Sequence, residues 1–266
     1  MLRTLFMLVP LVASLVACGG SPPPPSYAGT ARHRYEQGKE ALDDEDYLQA
    51  VKHFTFVKNK FAYSKYAALA EVGMADAYFQ QSKYIEAIDA YRTFVQSRPN
   101  HRLVPYAMWR IGVAYHEQVP SDFVLFPPSH EKDLGSTKDA LRALQRYVER
   151  FPQDEHIKDA RGRIVACRTE LADHEMYVAG FYLTQDRPRS AKGRLEKVVA
   201  EFEDVPSRWR RGAWLLVKTH LELAKLEPDE ARAHQQAAVR IARQLIEKAP
   251  RSDEAAEARN LIGAAG

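Results

Sequence analysis

Apolar residues recur at helical spacing along almost the whole chain from Thr30 onward, and no stretch alternates apolar and polar residues as a strand does. The pattern predicts an all-α fold. It also repeats, because the segment DYLQAVKHFTFV that begins at Asp46 returns 37 positions later as KYIEAIDAYRTFV. The shared helical face comprises Tyr47, Ala50, Val51, Phe54 and Val57 in the first copy and Tyr84, Ala87, Ile88, Tyr91 and Phe94 in the second.

Three further copies of this face follow. They comprise Ala140, Leu141, Leu144 and Tyr147, then Ala191, Leu195 and Val198, and finally Ala238, Val239, Ala242 and Leu245. In three copies a proline 12 positions after the small alanine ends the helix, at Pro99, Pro152 and Pro250. Partner helices upstream carry small residues where two backbones would cross, at Gly38, Ala75, Gly112 and Ala179. Five such helix-turn-helix units over residues 30–263 predict a tetratricopeptide-repeat superhelix with a concave groove.

The spacing of the copies departs from an ideal repeat. Successive small alanines are 37, 53, 51 and 47 residues apart, whereas the ideal unit has about 34 residues. We expect the extra length in two loops. One is the segment 117–136, whose prolines and glycine interrupt any helix, and the other is the charged stretch from Glu155 to Asp173. Loops of this length in a compact domain are often functional.

Residues 1–17 have the features of a secretion signal. Arg3 precedes an apolar run from Leu5 to Val16, which is shorter than the about 20 residues that a membrane-spanning helix requires. The run ends in Leu-Val-Ala-Cys, which resembles the lipobox of bacterial lipoproteins, so Cys18 is predicted to be lipidated and to begin the mature protein. Gly19 after the cysteine indicates the outer membrane.

Residues 18–29 are interpreted as a tether. The four prolines at positions 22–25 favour extended polyproline II structure and cannot nucleate a helix. The tether would hold a folded domain at the periplasmic face of the membrane, because multiple acyl chains anchor stably where a single chain holds only marginally.

Composition and motifs argue against several functions. The chain has 38 basic and 35 acidic residues among 266, a net charge of +3, so no basic excess indicates nucleic acid as a partner. No zinc-protease helix, phosphate-binding glycine loop or Gly-x-Ser-x-Gly turn occurs, so the sequence predicts neither an enzyme nor a cofactor. No two of the nine histidines have ligand spacing on a predicted helix, and no metal is assigned. Cys167 is interpreted as a small buried apolar residue.

Beyond generic repeats, several stretches resemble the BamD/ComL family of outer-membrane β-barrel assembly lipoproteins. They are the lipobox, YEQGKEALDDEDYLQAVKHFTFVKNKFAYSKYAALA, FVQSRPNHRLVPYAMWRIGVAY and LADHEMYVAGFYLTQDRPRSAKGRLEKVVAEF. The resemblance implies a non-catalytic scaffold and receptor. Its amino-terminal half, about 30–153, would receive unfolded outer-membrane β-barrel precursors. Its carboxy-terminal half, about 154–263, would dock a BamA-like barrel-forming subunit and accessory assembly subunits.

The resemblance also implies site residues. Arg194 of the GRLE motif aligns with the family's partner-binding arginine, and Glu196 of the same motif is assigned to that contact with it. Phe61 aligns with an aromatic residue of the substrate groove, and the neighbouring Tyr63 and Tyr66 are assigned to the groove with it. Phe61 falls at a helix end before a turn, where an aromatic ring can face a groove.

Two alternatives remain open on the residues alone. One is another repeat lipoprotein of the outer membrane that scaffolds cell-envelope or motility complexes, and the other is an enzyme carried on a repeat scaffold. The segment after Pro206, with the basic SRWRRGAW and a long fifth repeat, departs from the family pattern, which puts the accessory-subunit contacts there in doubt.

Overall fold

A computed structural model describes residues 26–119 and 133–264, which form eleven α-helices and contain no strand. The all-α prediction is confirmed. The helices are α1 Tyr27–Asp43, α2 Tyr47–Lys60, α3 Lys65–Gln80, α4 Tyr84–Ser97, α5 Val104–His116, α6 Gly135–Arg150, α7 Ile157–Thr184, α8 Pro188–Glu201, α9 Pro206–Leu226, α10 Ala231–Lys248 and α11 Asp253–Ala264. A short 3-10 turn, Pro228–Glu230, precedes α10. Cys18 and the four prolines lie outside the described residues, whereas the predicted end of the tether at residue 29 is wrong, because residues 27–29 form the start of α1.

The first ten helices form five consecutive pairs, and each helix packs on the next along the chain. The five copies found in the sequence are the second helices of these pairs, α2, α4, α6, α8 and α10. Their small alanines, Ala50, Ala87, Ala140, Ala191 and Ala238, are all fully buried. Helix α11 covers the last pair and buries Ala255 and Ala258 completely.

Glycines mark the places where paired helices approach most closely. A Cβ atom on Gly38 would lie 2.6 Å from the Phe54 ring, and one on Gly112 would lie 2.5 Å from the Leu144 side chain. Both distances are too short for any real Cβ contact, so only glycine allows the observed helix separation at these positions. The small residues seen in the sequence therefore serve helix packing, as predicted.

The predicted loop from Glu155 to Asp173 is wrong, because nearly all of it is the first half of α7, a helix of 28 residues. Between its charged residues the helix carries a narrow apolar face, on which Ala160, Cys167 and Ala172 are buried. The helix is also supported on its surface, where Arg163 bonds to Asp159 four residues earlier at 3.1 Å. The extra length of the fourth repeat is thus additional helix.

The ends of the neighbouring helices agree with the other predicted loop, 117–136. Helix α5 ends at His116 and α6 begins at Gly135, and residues 120–132 are not among the described residues. Cys167 is 2% exposed, which confirms its assignment as a core residue, and burial raises the pKa of its thiol to about 11.

The first helices of the repeats line the inner face of the stack. Helices α1 and α3 touch directly, as do α5 and α7, α7 and α9, and α9 and α11, whereas the second helices make no comparable contacts with one another in the described ranges. Because the side of a curved stack whose elements lie closer together is its concave side, we assign the groove to these first helices. Within the described ranges, no helix combines the length and apolar character that membrane spanning requires.

Candidate functional site

Phe61 lies beneath the surface. It is the C-cap residue of α2, and its N–H donates to the Val57 carbonyl at 2.9 Å. Its ring lies between Tyr27, at a centroid distance of 4.8 Å, and Phe56, at 5.8 Å, and the residue is only 8% exposed. The sequence expectation that this ring faces the groove is therefore corrected, because the first turn of α1 covers it.

The two tyrosines that follow are more accessible. Tyr63, in the turn between α2 and α3, is 99% exposed. Tyr66, in the first turn of α3, packs on the same core cluster as Phe61 and lies 5.6 Å from the Tyr35 ring of α1. Tyr35 and Tyr66 thus form a partly buried aromatic pair that joins α1 and α3, the first two helices of the inner face.

A polar network farther along the inner face is not foreseen in the sequence. The carboxylate of Asp76 on α3 accepts hydrogen bonds from the hydroxyl groups of Tyr91 and Tyr106, the latter at 2.8 Å. Arg110 on α5 donates its Nε–H to the Tyr91 hydroxyl at 3.1 Å and stacks 3.7 Å above the Phe79 ring. These bonds join three helices through one carboxylate.

Burial dominates the electrostatics of this network. It raises the pKa of Asp76, although the hydrogen bonds from Tyr91 and Tyr106 oppose the shift. Burial and the negative charge of Asp76 also raise the pKa of both tyrosines, so both hydroxyls remain donors at neutral pH. A cavity of about 430 Å³ opens beside the network and is lined by Asp43, Glu45, Tyr47, Gln80 and others. The cavity can accept polar groups of a bound chain.

Aromatic and charged side chains continue from α5 onto α7. The Trp109 ring stacks on His156 at 3.9 Å, and its Nε1–H donates to Asp159 at 2.7 Å. Arg163 bonds to the same Asp159 and also to Glu117 at 3.0 Å. Between α5 and α7, the Trp109 ring is thus held in place by a carboxylate that is itself ion-paired.

The fourth repeat places Arg194 beside a buried carboxylate of its own chain. The Nη1 group of Arg194 donates to Glu175 Oε2 at 3.0 Å, and Lys197 Nζ lies 2.6 Å from Glu175 Oε1. The Glu175 side chain is 7% exposed, whereas those of Arg194 and Lys197 are 42% and 43% exposed. Glu196 points to solvent on the same helix. Arg194 is therefore oriented by Glu175 and still reaches the surface.

One signal in the sequence could have revealed the first of these groups. Asp76 is an isolated charge within the apolar and small residues of VGMADAYF, and a single acid in such a helix indicates a buried polar network. Glu175 instead follows Asp173 and His174 in a charged stretch, so no such signal marks it, although it is one of few buried charged side chains among the residues that the structure describes.

The paired helices and their inner face define a tetratricopeptide-repeat protein. A solved tetratricopeptide-repeat protein of Bacteroides fragilis matches with a TM-score of 0.50 and 11% identity, covering 89% of this chain and 99% of its own, which supports the fold alone. The chain belongs to the YfiO family of outer membrane lipoproteins, whose family model matches residues 27–234.

Named relatives agree with this family. The chain is 27% identical over 216 residues to the outer membrane protein assembly factor BamD of Caulobacter vibrioides, which covers 80% of this chain and 68% of the relative. It is 24% identical over 172 residues to the protein of the same name in Neisseria meningitidis serogroup A, with 64% of each chain covered. The matches therefore span about two thirds of the relatives' length.

Proposed function

We propose that this chain is a non-catalytic scaffold and substrate receptor in the assembly of outer-membrane β-barrel proteins, held at the periplasmic face of the outer membrane by lipid on Cys18. The observation that carries the proposal is the family match over residues 27–234, which covers the repeat domain from α1 to the first turn of α10. Relatives of the same family are named as outer membrane protein assembly factors. The repeat fold suits this role because it offers a long peptide-binding face.

The amino-terminal half would receive the barrel precursor. Such a precursor is an extended segment with alternating aromatic side chains, and a helical groove can bury these rings without offering a strand edge that would template aggregation. Tyr63, which is fully exposed, and Tyr66, which is partly exposed in the first turn of α3, would supply aromatic surface to the precursor. Phe61 supports them from below, because it belongs to the core cluster on which Tyr66 packs.

The carboxy-terminal half would dock the barrel-forming subunit through Arg194 and Glu196. A guanidinium can bind a partner carboxylate through two parallel hydrogen bonds, which fixes both distance and orientation. Glu175 already engages Nη1 of Arg194, so the side chain is preordered while nearly half of it remains exposed. Preordering reduces the entropy lost on docking.

The test compares two cations that share one internal partner. Arg194→Gln and Lys197→Gln each remove one positive charge that contacts Glu175. The two side chains are equally exposed, so we expect similar effects of the two substitutions on folding. Glutamine also retains a hydrogen-bond donor for Glu175. A substitution by glutamate would instead place two carboxylates together, so that a loss of folding could not be separated from a loss of docking.

Binding to the purified periplasmic domain of the barrel-forming subunit would be measured by titration, with helicity recorded for each variant. We expect Arg194→Gln to weaken binding at least tenfold and Lys197→Gln to stay within twofold of the parent. Equal binding by the parent and Arg194→Gln would remove this docking contact. An equal loss in both variants would show that only the net charge matters.

A further inference from the structure

Two histidines lie side by side in the interior of the fifth repeat. His220 of α9 and His234 of α10 are 6% and 5% exposed, and their Nδ1 atoms are 3.0 Å apart. The other ring nitrogen of His234, Nε2, faces two carboxylates, with Glu227 Oε2 at 3.1 Å and Glu230 Oε2 at 3.8 Å. One buried imidazole nitrogen is thus directed between two acidic side chains.

We propose that Glu227, Glu230 and His234 form a binding site for a divalent transition-metal ion of the zinc type. Their ligand atoms all lie within 4.8 Å of one another. Zinc binds imidazole nitrogen and carboxylate oxygen at about 2.0–2.2 Å, so tetrahedral ligand atoms around one ion are about 3.4 Å apart. The distances from His234 Nε2 to the carboxylate oxygens of Glu227 and Glu230, 3.1 and 3.8 Å, bracket this value. Small side-chain movements would therefore bring the three ligand atoms around one ion.

The burial and charge of the three ligands favour the same assignment. The Glu227 side chain is 12% exposed, whereas that of Glu230 is 68% exposed, which leaves an open approach from solvent. Two carboxylates neutralise a divalent charge. Arg189, which pairs with Glu227, is 78% exposed and can turn into water when an ion binds.

His220 supplies the supporting hydrogen bond that metal-binding histidines require. A metal on Nε2 of His234 leaves the ring proton on Nδ1, which must then donate to an acceptor. Nδ1 of His220 lies 3.0 Å from Nδ1 of His234, within reach to accept this bond.

Without metal, the hydrogen bonds can run in the opposite direction. His234 then carries a proton on Nε2, which faces the Glu227 carboxylate at 3.1 Å. Metal binding at this nitrogen displaces that proton and leaves Nδ1 of His234 as the donor to His220. Loss of the Nε2 proton is a signature that nonspecific ion binding to surface acids does not produce.

No two histidines lie at ligand spacing on one helix, so the sequence pattern alone does not predict this site. The ligands instead follow the pattern Glu-x-x-Glu-x-x-x-His across the 3-10 turn and the first turn of α10. An ion there would tie the end of α9 to the start of α10 and so reinforce the last helix pair.

The test uses the purified full chain, stripped of metal with a chelator and titrated with zinc chloride. We expect one tight zinc ion per chain, a higher thermal unfolding midpoint when zinc is present, and loss of the proton on Nε2 of His234 in nitrogen-detected NMR. Glu230→Gln should weaken zinc binding at least tenfold without disturbing the core, because this side chain is largely exposed.

Asp229→Asn is the matched control, since it removes one exposed acidic charge from the same turn without removing a ligand. It should bind zinc within twofold of the parent. The proposal is overturned if zinc does not saturate a single site, if Glu230→Gln binds as tightly as the parent, if Asp229→Asn loses as much affinity as Glu230→Gln, or if zinc leaves the proton on Nε2 of His234 in place.

Discussion

Removing both cations that contact Glu175 should cost far more stability than the two single substitutions together. The Glu175 side chain is 7% exposed and is bonded to Arg194 at 3.0 Å and Lys197 at 2.6 Å. A hydrogen bond to a charged group contributes about 1.5–3 kcal/mol. Both cations are 42–43% exposed, so we expect only about 1 kcal/mol for each single alanine variant, because the other cation remains and water screens the pair.

The double variant, Arg194→Ala with Lys197→Ala, leaves a buried carboxylate without a cation. Breaking a buried charge pair in this way costs about 3–5 kcal/mol. The double variant should therefore exceed the sum of the single variants by about 1–3 kcal/mol. Equilibrium urea unfolding followed by circular dichroism measures all four proteins. Additivity within about 0.5 kcal/mol would refute the reasoning, since it would mean that Glu175 is adequately solvated without either cation.

The same cluster fixes the sign of a pH dependence. Burial by itself raises the pKa of Glu175, but the hydrogen bonds from Lys197 and Arg194 outweigh it and hold the pKa below its ordinary value. A depressed carboxyl pKa contributes stability that is complete above the unfolded pKa of about 4.3 and is lost as the pH falls through the folded pKa. Glu175→Gln should therefore lose less stability than the parent on acidification across this range. A greater or equal loss would contradict the assignment.

Three other outcomes follow from burial and packing. Phe61→Ala should destabilise the chain by about 3 kcal/mol in urea unfolding because it empties a core site. Tyr63→Ala, at a fully exposed position, should leave stability unchanged but weaken the binding of a peptide that ends in a barrel strand. A larger loss of stability in Tyr63→Ala than in Phe61→Ala would mean that the exposures are misassigned. Gly112→Ala should cost about 1–3 kcal/mol of stability by overpacking against Leu144. Gly162→Ala, whose added Cβ meets nothing within 4 Å, should be neutral or stabilising. Similar effects at both glycines would argue against the close contact between Gly112 and Leu144. Cys18→Ala should release a folded chain from outer-membrane fractions into the periplasm, and unchanged retention in a strain lacking its partners would exclude a lipid anchor.

The repeated helices could be predicted from the sequence because their signal is local. A small alanine followed by large apolar residues at helical spacing marks each second helix, and the buried Ala87, Tyr91 and Phe94 of α4 confirm the pattern. The first half of α7 was missed because its abundant charges conceal a narrow stripe of buried small residues, Ala160 and Cys167 among them. Charge density alone does not distinguish such a helix from a loop.

The polar sites depend on contacts between distant residues, so local patterns predict them poorly. Asp76 meets Tyr106 across 30 positions, and Glu175 meets Lys197 across 22. The resemblance to a family identified Arg194, but the carboxylate that orients it comes from another helix. Likewise, the position of Phe61 at a helix end indicated exposure, and only the first turn of α1, through Tyr27, explains its burial.

Identification of the partners tests the proposed function most directly. The lipidated full chain would be purified under mild detergent conditions from its own membranes, and the proteins that accompany it would be identified by mass spectrometry. The account predicts that the barrel-forming subunit of the outer-membrane assembly machinery co-purifies in near-stoichiometric amount, and that Arg194→Gln, but not Lys197→Gln, reduces its recovery. Recovery of a cell-wall or motility complex in its place, with no barrel-forming subunit, would contradict the account.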